Sequence, residues 1–129
     1  MENLFASPHL IGIFPAGLVS RKRKGIVADL DWKKTFVKYA KRYDRPVIPI
    51  HIEGELTPFF YRLSNFRTAI GIKANLEMLY LSDELHKQKG KTINITIGKP
   101  IDLKEYKGIK DQIIAGEVKK IVYALPKKK

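Results

Sequence analysis

The order of apolar strands and amphipathic helices in this chain predicts an α/β fold, with helices flanking a small mixed sheet. Two apolar runs, Leu10–Phe14 throughout and Pro46–Ile52 nearly throughout, have the composition of covered strands. Residues 92–97 alternate strictly between polar and apolar, which is strand periodicity. Residues 31–44 and 109–125 carry apolar side chains every three or four positions, which is helix periodicity.

Residues 1–9 read as an irregular leader or a truncation scar, and residues 10–125 as the folded part. The first strand, Leu10–Phe14, is closed by Pro15-Ala16-Gly17 and runs into a basic loop, Ser20–Gly25. A strand ending in such a loop is where open α/β sheets place ligands. Asp29 and Asp31 offer N-caps for a helix over 31–44, with Trp32, Phe36, Tyr39, Ala40 and Tyr43 on one face. Pro46 ends it. Pro49 inside the second strand cannot donate to a ladder, so a bulge or an exposed edge is expected there. An aromatic-rich stretch, residues 58–63, is left without an assigned element. Residues 82–90 have a serine cap, early acids, late lysines and a closing glycine, the marks of a short helix. The strand over 92–97 is expected to bury one face and to stop at Gly98-Lys99-Pro100. The last helix, 109–125, is expected to bury Ile113, Ile114, Val118, Ile121, Val122 and Leu125, ahead of a basic tail, residues 126–129. Three strands are few for 129 residues, a hint that further strands precede residue 10.

The composition narrows the function. With 44% hydrophobic and 10% aromatic residues the chain can build a packed core. Its 25 Lys and Arg against 13 Asp and Glu give a net charge of +12, a field that draws in anions. The absence of cysteine excludes disulfides, thiolate-bound zinc and a cysteine nucleophile. No apolar stretch approaches the roughly 20 residues of a membrane-spanning helix, so contact with a membrane is expected at its surface. No helix-turn-helix, RNA-recognition or zinc signature points to specific nucleic-acid binding.

Ile11–Arg21 resembles the third conserved block of glycerolipid acyltransferases, and Pro46–Ile50 their fourth, at the expected spacing of about thirty residues. The bacterial haemolysin-like, or ornithine-lipid, branch is more similar still. Its Phe-Pro-Ala-Gly block is followed by a His-X-Glu-Gly segment, like His51–Gly54, and a Phe-Phe-Tyr-Arg-Leu segment, like residues 59–63. A later Gly-Lys-Thr-Ile to Gly-Lys-Pro-Ile stretch is matched by Gly90–Ile101. The resemblance implies the C-terminal part of an acyltransferase-type α/β domain. It also implies transfer of a fatty acyl group from a coenzyme A or acyl carrier protein thioester to a lysolipid hydroxyl. Phe14, Pro15, Gly17, Ser20 and Arg21 would then bind substrate, Arg21 through phosphate, and Phe59, Phe60 and Tyr61 would meet the acyl chain or the membrane. No metal or tightly bound cofactor is implied. The implied location is cytoplasmic, peripheral to the inner face of the membrane, with anionic phospholipid or lysolipid as partner.

Two departures stand out. The family's base is a histidine with an aspartate five positions later, yet His9, His51 and His86 are followed at that distance by Phe14, Leu56 and Lys91. Leu18 stands where the close relatives carry glutamate. The expectation is therefore a truncated or degenerate copy with no catalytic residue of its own, prone to self-association through an open sheet edge. The alternative is a non-catalytic basic module that binds anionic membrane surfaces or, as the lesser option, nucleic acid.

Overall fold

Along the chain run helix α1 (Glu2–Ala6), strands β1 (Arg21–Arg23) and β2 (Ile26–Ala28), helix α2 (Thr35–Arg42) and strand β3 (Ile50–Ile52). Helix α3 (Pro58–Ala69), helix α4 (Leu81–His86), strand β4 (Ile95–Ile97) and helix α5 (Asp111–Ala124) follow, with 3-10 turns at Leu76–Tyr80 and Leu103–Tyr106. This computed structural model describes residues 2–125; the expected basic tail lies outside them. The elements form a mixed α/β arrangement with two antiparallel two-stranded sheets. They divide into two compact units, one made of the stretch up to Val19, Asp29–Ile52 and the stretch from Ile95 on, the other of Ser20–Ala28 and Glu53–Asn94. Among the described residues no helix is long and apolar enough to cross a membrane.

In the first unit α2 and α5 pack together because each has an apolar stripe. Trp32, Phe36, Val37 and Ala40 meet Ile114, Ala115, Val118 and Val122, with Ala16 and Leu103 completing the core. The helix over 31–44 forms, but it starts at Thr35 and no side chain caps it. Asp29, an expected cap, instead accepts the buried indole N–H of Trp32 at 3.1 Å. An uncompensated buried donor costs more than a missing cap. The end of α2 is a Schellman turn, with Asp44 at φ +51° and the Arg45 N–H on the Ala40 carbonyl at 2.9 Å. The Arg45 guanidinium then holds the carbonyls of Phe5, Ser7 and His9. Within the stretch expected to be irregular, Glu2–Ala6 is the helix α1, whose Phe5 is buried and stacks on Tyr39 at 5.0 Å. In α5 the buried stripe is Ile114, Ala115, Val118 and Val122. Ile113 points outward instead, 54% exposed.

Leu10–Phe14 does not form the expected strand. An apolar run becomes a strand only where a neighbour supplies ladder hydrogen bonds, and none of the described residues pairs with it. The run from Pro46 does pair. Val47 bridges Ile101, with both N–H groups bonded across, and Ile50 pairs with Ile97. Two residues separate Val47 from Ile50 while three separate Ile97 from Ile101, so the bulge expected from Pro49 lies on the partner strand. Gly98 permits the close approach: its N–H reaches the Pro49 carbonyl at 2.8 Å. A Cβ there would come within 2.8 Å of both Pro49 and Leu125.

Of the strand expected over 92–97 only Ile95–Ile97 forms, and its apolar face is the open one. Ile95 and Ile97 are 60% and 67% exposed, and their cross-strand partners Ile52 and Ile50 are 52% and 46% exposed. A two-stranded ribbon packed on one helix can bury one face, and α5 covers the His51 side, where His51 meets Tyr123 edge to face at 5.9 Å.

In the second unit the basic loop is a hairpin. Lys24 and Gly25 form its two-residue turn, both at positive φ (48° and 80°), the type I′ geometry that suits strand twist. The aromatic stretch is α3, which starts with Pro58 in the first turn after an extended Thr57. Phe60, Tyr61 and Ser64 are its buried residues.

The four-isoleucine face and the open ribbon edges are expected to drive self-association. Light scattering should show concentration-dependent association that falls in an Ile95→Thr/Ile97→Thr double variant. A monodisperse wild-type monomer at high concentration would contradict it.

Candidate functional site

Phe14-Pro15-Ala16-Gly17 forms a turn. The Gly17 N–H reaches the Phe14 carbonyl at 3.1 Å, and the Lys33 N–H reaches the Pro15 carbonyl at 3.0 Å. Ala16 enters the core of the first unit while the Phe14 ring is 81% exposed. Of the residues expected to bind substrate, Phe14, Pro15 and Gly17 thus share this turn. Ser20 and Arg21 belong to the second unit.

Arg21 faces inward rather than into solvent. It is 8% exposed, and its Nη2 lies 2.8 Å from Oε1 of Glu77, a residue with no exposed surface. Arg67 grips the same carboxylate, with Nε at 2.8 Å from Oε2 and Nη2 at 3.3 Å from Oε1. Burial pushes the Glu77 carboxyl up. Its own backbone N–H, the Arg67 hydrogen bond and the two guanidinium charges outweigh that, so its pKa lies below the ordinary 4.5. Nη1 of Arg21 is buried and meets no acceptor among the described residues.

A second buried carboxylate, Glu84, accepts the N–H and the hydroxyl of Thr57, each at 2.6 Å. Burial raises its pKa, but the two Thr57 hydrogen bonds and nearby Lys87 lower it further, again to below 4.5. Glu84 thereby anchors the start of α3. Neither acid was legible as a site residue, although Glu77 has a signal: it interrupts an apolar stretch, Leu76–Tyr80, in a chain poor in acids. Of the aromatic residues expected to meet acyl chain or membrane, Phe60 (0%) and Tyr61 (4%) are core of the second unit. Phe59 is half-exposed and packs edge to face on Tyr80 at 5.3 Å.

No histidine bonds to a carboxylate among the described residues. Among the described residues the buried His51 Nδ1 has no partner. His86 Nδ1 lies 2.7 Å from the Ser82 carbonyl.

Comparison with known proteins fits the order of the blocks. An acyltransferase family model matches residues 1–128. The chain belongs to the acyltransferase family. It is 47% identical over 126 residues to a lyso-glycine lipid O-acyltransferase of Phocaeicola vulgatus and 44% identical over 126 residues to one of Bacteroides thetaiotaomicron. These alignments cover 97% of the chain but 45% and 46% of the relatives, so this acyltransferase chain spans less than half of their length. No solved structure matches it.

Removing Glu77 strands two guanidinium groups. Glu77→Ala should therefore cost roughly 3–5 kcal/mol, the range for breaking a buried pair from one side, read by urea denaturation. Arg21→Ala should also destabilise, so loss of function in that variant counts as a binding effect only if its melting is unchanged. Because folding lowers the pKa of Glu77 and Glu84, their stabilisation is complete above the ordinary 4.5 and is lost as pH falls through the lower folded values. Glu77→Gln should flatten that acid limb, and an unchanged slope would refute the assignment.

Proposed function

We propose that this chain supplies part of a lysolipid O-acyltransferase, which moves a fatty acyl group from a thioester carrier to an acceptor hydroxyl. The single observation carrying this reading is the 47% and 44% identity, across 97% of the chain, to two proteins named for that reaction on a lyso-glycine lipid. A lyso-glycine lipid is accordingly the first acceptor to test.

An unactivated hydroxyl attacks a thioester slowly, and a positioned base contributes about 10²–10⁴-fold. No histidine–carboxylate pair lies within residues 2–125, so the base is proposed to come from outside them. On this reading the chain is a truncated or degenerate copy that recognises substrate without completing the chemistry. The net charge of +12 supports docking on an anionic leaflet, where each basic side chain contributes about 1 kcal/mol. The proposed place of action is the inner face of the membrane. The missing pair also favours a second reading, in which the isolated chain is a membrane-binding module alone.

The test is acyl transfer by the purified chain from labelled acyl-coenzyme A or acyl carrier protein to a lysolipid panel on anionic vesicles. The expected result is no turnover, with vesicle binding that weakens in salt and strengthens when lyso-glycine lipid replaces its diacyl form. Turnover by the chain alone would overturn the external base. Binding indifferent to the lysolipid would leave the membrane-module reading.

A further inference from the structure

Helix α3 presents three sides, and two of them are accounted for within the second unit. Phe60, Tyr61 and Ser64 are buried in the core of that unit. Pro58, Arg62 and Asn65 line, with Tyr61, a cleft of about 360 Å³ against the β1–β2 hairpin, which adds Lys22 and Lys24; no acid lines it. The third side is an apolar stripe. Phe59, Leu63, Phe66 and Ile70 stand at i, i+4, i+7 and i+11, one line along a helix of 3.6 residues per turn. Ile70 is the capping residue, still tied to the helix by its N–H on the Phe66 carbonyl at 3.1 Å.

Leu63 is half-buried, but Phe59, Phe66 and Ile70 are 51%, 64% and 53% exposed. The Tyr80 ring, packed edge to face on Phe59 at 5.3 Å and 43% exposed, continues the stripe. A surface helix ordinarily carries one apolar stripe, turned toward its core. Here a second stripe is left uncovered by the unit that holds the helix.

Two properties decide what covers it. The first is charge. Helix α3 contains two arginines and no acid. The buried acids beside it are answered from within: Glu77 by Arg21 and Arg67, Glu84 by Thr57 ahead of the first turn. No carboxylate of the helix itself therefore repels an anionic surface. The second is size. The exposed side chains of the stripe present on the order of 400 Å², against roughly 800 Å² that each partner gives a standard protein interface. A bilayer sets no such threshold, because side chains enter its boundary one by one, and aromatic rings with a phenol at the rim suit that depth. The stripe is about 17 Å long, so it fits along a surface rather than across a membrane.

We propose that the Phe59–Leu63–Phe66–Ile70 stripe is the membrane-docking face of the second unit, lying flat at the boundary of headgroups and acyl chains. This placement rests on the lysolipid reading and goes beyond it. The net charge of +12 draws the chain to an anionic leaflet without choosing a face, and the stripe chooses one. Of the three aromatic residues expected to meet acyl chain or membrane, Phe59 alone takes part.

Partitioning of the purified chain is measured by flotation with phosphatidylcholine–phosphatidylglycerol vesicles. Lysolipid, acyl donor and turnover are left out, so failure of the acyl-transfer reading does not affect the result. Runs at low salt and at about 1 M salt, where the screening length is about 3 Å, separate adsorption from insertion. The expected result is binding that weakens in salt but keeps a salt-resistant part. Phe66→Gln/Ile70→Gln should lower that part more than about tenfold, as loss of buried apolar side chains does. Ile109→Gln/Ile113→Gln removes two side chains of the first unit that are 42% and 54% exposed, and should lower it less than about twofold. Both variants are checked for unchanged thermal melting. A second measurement needs no loss of apolar surface: lipids brominated along the acyl chain should quench the emission of Phe66→Trp and leave that of Ile113→Trp unchanged. Trp32 is a constant background in both, buried in the first unit. If the double variant melts lower, this quenching decides. Equal losses in the two variants, no salt-resistant binding, or equal quenching at the two positions would each overturn the proposal. Loss of self-association with unchanged vesicle binding in Phe66→Gln/Ile70→Gln would overturn it too, assigning the stripe to a second copy of the chain.

Discussion

A carboxylate with no exposed surface must be neutralised where it sits, and the second unit is organised around that requirement at Glu77. The 3-10 turn supplies the acid, β1 supplies Arg21, and α3 supplies Arg67 and the Ser64 hydroxyl. Arg67 also reaches the Ile72 carbonyl at 2.6 Å, closing the loop that follows α3. Desolvating three charged groups is costly, and such clusters seldom add net stability over apolar packing. What the cluster does is join the hairpin, the helix and the turn through one carboxylate. Arg21 is thereby held by Glu77 inside the second unit.

This bears on what the sequence could disclose. Helices α2 and α5 were legible because a helix packed on one side repeats its apolar positions every three or four residues. Helix α3 was not, since Phe59 and Phe66 point outward while Ser64 is buried, and the period is blurred. Its start was nevertheless written in Thr57-Pro58, an extended residue followed by proline. The hairpin was hidden by its lysines and arginines, although Lys24-Gly25 is a serviceable turn pair. The order of blocks identified the family. The engagement of Arg21 was illegible because its partner, Glu77, lies far along the chain, and charge patterns carry no distance.

The β3–β4 ribbon shows a subtler limit. Alternation gave a strand over residues 92–97, of which 95–97 form one, but alternation says only that two faces differ. Which face is covered depends on what packs there. Here α5 takes the side of His51, leaving Ile50, Ile52, Ile95 and Ile97 open. The apolar run Leu10–Phe14 is likewise left unpaired, with Leu10 90% exposed. Unpaired strand-like segments and bare apolar faces ordinarily mark surfaces that meet another element or partner. More than half of the length of each curated relative lies outside the region this chain matches.

Net charge is the weakest guide to how such a chain recognises anything. The excess of bases over acids is a property of the whole molecule, and it attracts every anion alike. Discrimination begins where cations differ in what already neutralises them. Within one hairpin Arg21 is spent on Glu77 while Lys22 and Lys24 face a cleft without acids. Adjacent residues that look interchangeable in sequence thus differ in surroundings: Arg21 is neutralised by a buried carboxylate, whereas Lys22 and Lys24 line a cleft without acids.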